Sequence, residues 1–264
     1  MTNLLRRATS GFIYAVLFIT AIMYSKESYI ILICFFGLIS LKEFFKLLKF
    51  NNGVIYLLFI GLVLLPYLPI HILFIKLLLA LSLSGSVQLL LNLLLKKKKY
   101  PLSSVQKFDI SIRYLFLSFT FLILLPFVNG VYEQSVILTL IILIWVNDSF
   151  AFFVGKNLGK RKLFESVSPK KTIEGFFGGV LFSLITAFIL SYFCDFLSLT
   201  NLIVISLIAS ILGTAGDLVE SKFKRQANTK DSGNIMPGHG GILDRLDSLL
   251  FVAPFVYLYI HYLI

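Results

Sequence analysis

The feature that most constrains this chain is a succession of long apolar segments with few charges. A helix of about 20 apolar residues is enough to cross the hydrocarbon of a bilayer. Hydrophobic residues make up 58% of the 264 residues and charged residues only 14%, whereas a soluble domain contains about 25% charged residues. One soluble core could not bury this much apolar surface, so we predict an all-α, polytopic integral membrane protein.

The apolar segments divide into nine predicted membrane-spanning helices. They lie at residues 9–25, 29–47, 53–68, 70–95, 110–128, 133–153, 173–195, 199–217 and 245–264. The boundaries within residues 53–128 stay open, because Pro66 and Pro69 close a short segment and the next segment is overlong. We treat the chain as one membrane domain, with N-terminal helices in residues 1–140 and C-terminal helices that carry the candidate site in residues 141–264.

Basic residues are distributed unevenly between the two ends of the predicted helices. The chain has 24 Lys and Arg against 13 Asp and Glu, a net charge of +11. With the N-terminus in the cytoplasm, all 24 except Lys26 and Lys76 lie at the cytoplasmic face, in agreement with the positive-inside rule. This rule and contact with anionic lipid account for the charge, including the run Lys96 to Lys99, without a nucleic-acid partner. We therefore predict a site that faces the cytoplasm. The compact length and the lack of a transit-type N-terminus favour a bacterial-type inner membrane.

The first polar cluster lies where the eighth predicted span ends. The residues at i, i+3, i+4 and i+7 share one face if the helix continues, and these are Asp217, Glu220, Ser221 and Lys224. Asp244 and Asp247 are spaced at i, i+3 at the start of the ninth span. Carboxylates on two converging helix ends can hold a hard cation such as Mg²⁺, which takes oxygen ligands and keeps substrate phosphate in its shell. We therefore predict that Asp217, Asp244 and Asp247 bind a metal.

Basic and glycine-rich segments surround these carboxylates. The basic residues that would attract phosphate oxygens are Lys224, Arg225, Lys230 and Arg245. Gly240 and Gly241 allow the backbone to approach a ligand closely. For His239, a structural hydrogen bond in a glycine-rich turn is an alternative to a ligand role.

The second polar cluster begins in the sixth predicted span. Asp148 follows Trp145 in an apolar segment, where a carboxylate is costly and therefore indicates function. Ser168 and Pro169 are typical of a turn and helix start. This start would display Lys170 and Lys171 near a positive helix N-terminus, which favours anions.

Less specific explanations exist for several of these residues. A lone charge near the end of a span is often an interfacial anchor, although the apolar runs beside Asp217 and Asp247 weaken that explanation. Gly175, Gly178 and Gly179 are best explained by close packing of membrane helices. The sequence contains neither GxxxxGK[ST] nor GxGxxG, so neither soluble nucleotide-binding fold is indicated.

Residues 221–247 closely resemble the signature of the phosphatidate cytidylyltransferases, the CDP-diacylglycerol synthase family. The matching segments are SKFKR at 221–225, KDSG at 230–233 and MPGHGGILDRLD at 236–247. DSFAF at 148–152, GK at 155–156 and SPKKTIEG at 168–175 are similar to the family's upstream block. Met236 stands where the family usually has Leu or Ile, an apolar change of similar volume.

The resemblance implies an enzyme that transfers the cytidylyl group of CTP to phosphatidate, giving CDP-diacylglycerol and pyrophosphate for phospholipid synthesis, and that requires Mg²⁺. A second cation and a homodimer stay open as alternatives. The residues implied in catalysis are Asp217, Asp244, Asp247, Lys224, Arg225, Lys230 and Arg245. The residues implied in substrate binding are Asp148, Ser168, Lys170, Lys171, Ser221, Asp231, His239, Gly240 and Gly241.

Two other functions compete with this one. A CTP-using membrane kinase of polyprenol or phytol shares some of the chemistry, but the complete block at 221–247 argues against it. A transporter or channel would use Asp148 and Asp217 along an ion pathway. Transporters often contain internal repeats and broken helices near the middle of the membrane, whereas here the polar groups gather at one face.

Overall fold

The computed structural model describes residues 3–95, 101 and 103–264, with side chains for residues 9–94, 101 and 103–264. The helices are α1 Asn3–Tyr24, α2 Lys26–Leu48, α3 Gly53–Gly61, α4 Ile72–Leu95, α5 Ser104–Ile110, α6 Leu117–Leu124, α7 Gln134–Leu158, α8 Ile173–Leu190, α9 Leu199–Gln226 and α10 Leu243–Tyr262. A 3₁₀ helix at Leu62–Tyr67 extends α3, and a π-helical segment at Ser111–Phe116 joins α5 to α6. The predicted topology determinant at Lys96 to Lys99 lies outside the described residues.

The helical content confirms the all-α class. Among the described residues, four helices are long and apolar enough to cross a membrane, namely α4, α7, α8 and α9. Each predicted span contains helix within the described ranges. The count of nine spans and the cytoplasmic N-terminus stay predictions.

Two short hairpins interrupt the helices. Strands β1 Phe127–Val128 and β2 Val131–Tyr132 pair antiparallel. Asn129 and Gly130 connect them with φ of 52° and 78°, which suits the two-residue turns that match strand twist. Strands β3 Lys162–Phe164 and β4 Ser168–Thr172 also pair antiparallel.

The second hairpin corrects one sequence prediction. A turn and helix start at Ser168-Pro169 is wrong, because these residues begin β4 and α8 starts only at Ile173. Proline is tolerated near the start of an edge strand, where its missing N–H breaks no central ladder. Thr172 caps α8 instead, with its hydroxyl accepting a hydrogen bond from the backbone N–H of Gly175 at 3.1 Å.

Small residues bring the C-terminal helices close together. A Cβ atom at Gly178 would lie 2.7 Å from the Val154 side chain, and one at Gly179 would lie 2.6 Å from Asn147 Oδ1. A Cβ at Gly216 of α9 would lie 2.5 Å from Phe251 Cβ on α10. The packing interpretation of the glycines is confirmed, and the close approach of α9 to α10 puts Asp217 and Asp247 beside one another in the fold.

An aromatic cluster ties the N-terminal helices to this group. Phe44 of α2 contacts Phe223 of α9 with ring centroids 5.3 Å apart, and Tyr114 lies 5.8 Å from Phe44. All three side chains are buried. This contact fixes α2 against the C-terminal end of α9, next to the segment between α9 and α10.

Candidate active site

A polar cavity of about 570 Å³ lies between α7, the β3–β4 hairpin, α9 and α10. We call it the polar cavity. It collects residues from both polar clusters, which are separated by more than 40 residues of sequence. The predicted site residues that line it are Asp148, Lys170, Lys171, Asp217, Lys224, Asp231, Asp244, Arg245 and Asp247.

Asp217 is held by Lys171 across the cavity. Lys171 Nζ lies 2.5 Å from Asp217 Oδ2, and Ser221 Oγ donates to Asp217 Oδ1 at 3.1 Å. Burial is the largest single effect and lowers the pKa of Lys171, but the carboxylates of Asp217, Asp148 and Asp247 together raise this pKa, so the net direction is upward. Lys171 therefore stays charged at neutral pH and joins the two predicted clusters.

Lys224 bridges two carboxylates on different helices. It forms an ion pair with Glu220, one turn earlier on α9, and its Nζ lies 2.7 Å from Asp244 Oδ1 on α10. Glu220 is fully buried, and Lys224 is largely so. Removing one partner from such a buried group leaves an uncompensated charge, which is strongly destabilising.

Asp244 organises the turn that leads into α10. Its Oδ2 accepts hydrogen bonds from Ser232 N at 2.9 Å, from Ser232 Oγ at 2.9 Å and from Gly241 N at 2.7 Å. Gly240, at φ 90°, makes this turn in the left-handed region that glycine adopts readily. Both oxygens of this predicted metal ligand are thus engaged by protein donors.

Asp148 and Asp247 have fewer partners. Asp148 Oδ1 accepts a hydrogen bond from Asn147 Nδ2 at 3.2 Å, and Asp247 Oδ1 accepts one from Ser248 N at 2.7 Å. Neither forms an ion pair among the described residues. These two carboxylates line the polar cavity with oxygens available for a cation or for a donor on a substrate.

The donor chemistry of the cavity fits a hard cation. The carboxylates that line it are oxygen donors, the ligands that Mg²⁺ takes. Among the described residues, no three His, Cys, Asp or Glu side chains are arranged to hold a metal ion. In this structure Asp217 and Asp244 instead contact Lys171 and Lys224, so the three predicted ligands line one cavity without forming one cluster.

Several predicted site residues do not line the polar cavity. Arg225 donates to the backbone oxygens of Val167 at 3.2 Å and Thr229 at 3.3 Å, so it ties the turn between β3 and β4 to the end of α9. Lys230 is exposed. The remaining predicted residues outside the cavity lining are Ser168, Ser221, His239, Gly240 and Gly241.

His239 takes part in a structural contact. Its Nδ1 lies 2.7 Å from Ser10 Oγ, which also donates to the Pro237 backbone oxygen at 3.0 Å. A Cβ at Gly11 would lie 3.1 Å from the His239 ring. The geometry therefore favours the structural hydrogen bond, with α1 held against the glycine-rich segment.

Glu43 is a site residue that the sequence reasoning missed. It is 5% exposed and accepts hydrogen bonds from Leu243 N at 2.8 Å and Ile242 N at 3.2 Å. It also accepts one from Ser232 Oγ at 3.2 Å. Glu43 thus caps α10 from a different helix, where the negative charge is stabilised by the helix N-terminus. A carboxylate in an apolar segment was the available signal, but its partners lie about 200 residues away.

The whole length of the chain is similar to known cytidylyltransferases. The sequence pattern of the Cytidylyltransferase family matches residues 5–263. The phosphatidate cytidylyltransferase of Bacillus subtilis (strain 168) is 36% identical over 264 residues, covering 97% of each chain. Those of Staphylococcus haemolyticus (strain JCSC1435) and Staphylococcus aureus (strain COL) are 50% and 51% identical over 119 residues, which cover 45% of this chain and 46% of each relative. On these matches, the chain belongs to the cytidylyltransferase family.

Proposed function

We propose that this protein is a phosphatidate cytidylyltransferase. It transfers the cytidylyl group of CTP to phosphatidate and releases pyrophosphate, giving CDP-diacylglycerol. The observation that carries this proposal is the match, over 97% of both chains, to a relative with that name. The polar cavity supports it independently, because cations and carboxylates needed to handle two phosphate groups line one space.

The reaction requires no covalent bond to the protein. An oxygen of the phosphatidate phosphate, already ionised at neutral pH, attacks the α-phosphorus of CTP. A new P–O bond forms, the bond from the α-phosphorus to the oxygen bridging to the β-phosphate breaks, and its electron pair leaves with pyrophosphate. Two anions repel each other in this step, so catalysis depends on positioning and on neutralising their charge.

The lysines of the cavity supply part of that neutralisation. Lys171 and Lys224 each contact a carboxylate at the cavity wall, and Lys170 and Arg245 line the same space. Charge-assisted hydrogen bonds from such groups to phosphate oxygens are stronger than neutral ones. We propose that Lys170 and Lys171 of β4 bind the phosphates of CTP, so that CTP enters the cavity beside the β3–β4 hairpin.

Mg²⁺ is the cofactor that this chemistry favours. Bound Mg²⁺ would neutralise phosphate charge and align the reacting groups. Asp217, Asp244 and Asp247 would hold it, and the number of cations stays open. Lys171 and Lys224 would then turn from these carboxylates toward the phosphate oxygens.

The orientation follows from the distribution of basic residues. We place the polar cavity at the cytoplasmic face of a bacterial inner membrane, with anionic lipid around the basic ends of the helices. CTP then enters from the cytoplasm and phosphatidate arrives laterally from the bilayer. We propose no oligomeric state beyond the open alternative of a homodimer.

The test is conversion of labelled phosphatidate by the purified protein. CTP and Mg²⁺ together should give CDP-diacylglycerol and pyrophosphate in equal amounts, with a rate that rises as Mg²⁺ is titrated. Product from a polyprenol or phytol, but not from phosphatidate, would identify a lipid kinase instead. Ion flux into liposomes without any lipid product would identify a transporter.

A further inference from the structure

A second, smaller cavity lies on the other side of the carboxylates that line the polar cavity. It has a volume of about 350 Å³ and lies between α1, α7 and the start of α10, so we call it the α1–α7 cavity. It shares four lining residues with the polar cavity, namely Asp148, Asp244, Arg245 and Asp247. The two spaces therefore adjoin each other at these four charged side chains.

Tyr14 of α1 lines this second cavity, and its hydroxyl is buried. The residue is 9% exposed, and its hydroxyl has no hydrogen-bond partner among the described residues. Its ring is fixed by contacts with Phe36 at 5.8 Å and Trp145 at 6.4 Å between centroids. Leaving a buried hydroxyl without a partner is unfavourable, so this donor is suited to an acceptor that a ligand brings.

Arg245 adds a cation to the same cavity. One of its guanidinium nitrogens donates to the His239 backbone oxygen at 3.1 Å. A guanidinium has five N–H donors, so this contact leaves others for a bound group. A phenol hydroxyl and a guanidinium together suit the oxygens of a phosphate.

An apolar groove adjoins the α1–α7 cavity. It has a volume of about 610 Å³ and is lined by Ile13, Leu17, Phe36, Ile235 and other residues of α1 and of the segment before α10. Tyr14 and Met236 line both spaces, so the groove adjoins the α1–α7 cavity at these two side chains. Among the side chains that the structure describes, those that line the groove are all uncharged, and Ile13 is 65% exposed.

We propose that the α1–α7 cavity binds the phosphate headgroup of phosphatidate through Tyr14 and Arg245, and that the apolar groove holds one of its acyl chains. This inference rests on the proposed function. A headgroup that is anionic and tethered to an apolar chain matches a polar cavity that lies beside an apolar groove. CTP and phosphatidate then approach the carboxylate wall from opposite sides, so each substrate has its own donors.

The first experiment separates the two substrates kinetically. Tyr14→Phe should raise KM for phosphatidate about tenfold, because a hydrogen bond to a charged group is lost, while KM for CTP changes less than twofold. Tyr259→Phe is the matched control, since the Tyr259 hydroxyl bonds Asn201 at 3.0 Å and lines neither space. An unchanged KM for phosphatidate, or equal changes for both substrates, would overturn the headgroup assignment.

The second experiment tests the groove without touching the buried donor. Ile13→Trp fills the groove from its exposed edge. Each buried methylene group changes affinity by roughly fourfold. The preference for long-chain over short-chain phosphatidate should therefore fall at least about fivefold. Phe12→Trp is the control, because Phe12 is 70% exposed on the same helix and does not line the groove. Equal losses for both chain lengths would show that the groove is only a packing surface and overturn the acyl site.

The two proposals fail in different ways. Wild-type protein that forms no CDP-diacylglycerol from CTP and phosphatidate would refute the proposed function. Active wild-type protein with Tyr14→Phe and Ile13→Trp both behaving like their controls would refute the lipid site alone.

Discussion

The two halves of the chain use charged residues differently. In the N-terminal half, Asp109 and Arg113 form an i, i+4 ion pair in which Asp109 is 39% exposed, and Arg113 also donates to Gln88 of α4 at 2.5 Å. In the C-terminal half, Lys224 joins Glu220 and Asp244 across two helices and away from solvent. An ion pair that includes an exposed carboxylate contributes little to the free energy of unfolding. A buried ion-pair network that joins two helices loses much more of that free energy when any one member is removed. The comparison predicts that substitutions of these charged residues reduce stability or activity by different amounts, depending on how deeply each residue is buried.

The largest effect is expected for Lys224→Met. The change leaves Glu220 and Asp244 as buried carboxylates without their cation, so the free energy of unfolding should fall by about 3–5 kcal/mol. Denaturant unfolding in detergent measures it. Adding Glu220→Gln to Lys224→Met should recover part of the lost free energy of unfolding. If Lys224→Met alone were as stable as the wild type, the two halves would not differ in the way described.

Asp247→Asn should reduce the rate of CDP-diacylglycerol formation about 100-fold with little change in folding. The amide keeps the shape but removes a negative oxygen from the cavity wall, where preorganised charge contributes most to such rates. A rate assay with Mg²⁺ titration checks this, with Asp109→Asn as the control in the other half. Near-normal activity at ordinary Mg²⁺ would refute the metal assignment of Asp247.

Glu43→Gln tests the one carboxylate by which the N-terminal half organises the site. An amide NH₂ would replace one of the two oxygens and face the N–H group of either Ile242 or Leu243. Activity should therefore fall about tenfold and the free energy of unfolding by about 1.5–3 kcal/mol. The exposed Glu27→Gln is the matched control. If both variants kept full activity, the turn before α10 would not depend on Glu43.

The smallest effect is expected for Asp109→Asn. Asp109 is 39% exposed and Arg113 keeps its hydrogen bond to Gln88 in the variant. An i, i+4 pair contributes about 0.3–0.5 kcal/mol, so the free energy of unfolding should shift by about this amount and the rate should not change. Unfolding at low and high salt measures both the size and the screening of the interaction. A shift as large as that of Lys224→Met would contradict the proposed difference between exposed and buried pairs.

The sequence predicted the local part of the site better than the tertiary part. Asp217 and Ser221 contact each other because helical spacing alone brings i and i+4 together. Lys224 and Asp244 lie on different helices and are 20 residues apart in sequence, so no helical periodicity predicts their contact. The assignment of Ser168 to a helix start failed because pairing with Phe164 across the hairpin outweighed the local turn preference.

The length of α9 has a consequence for how the enzyme meets its lipid. Asp217 follows Leu199 by 18 residues, which at about 1.5 Å per residue places it about 27 Å along the helix. The hydrocarbon layer is about 30 Å thick, so a helix that enters this layer at Leu199 brings Asp217 close to its far edge, next to the phospholipid headgroups. Phosphatidate can then react without being lifted out of its leaflet. We expect turnover in vesicles to follow the mole fraction of phosphatidate in the surface rather than its bulk concentration, and dilution with inert lipid to slow the enzyme at constant total substrate.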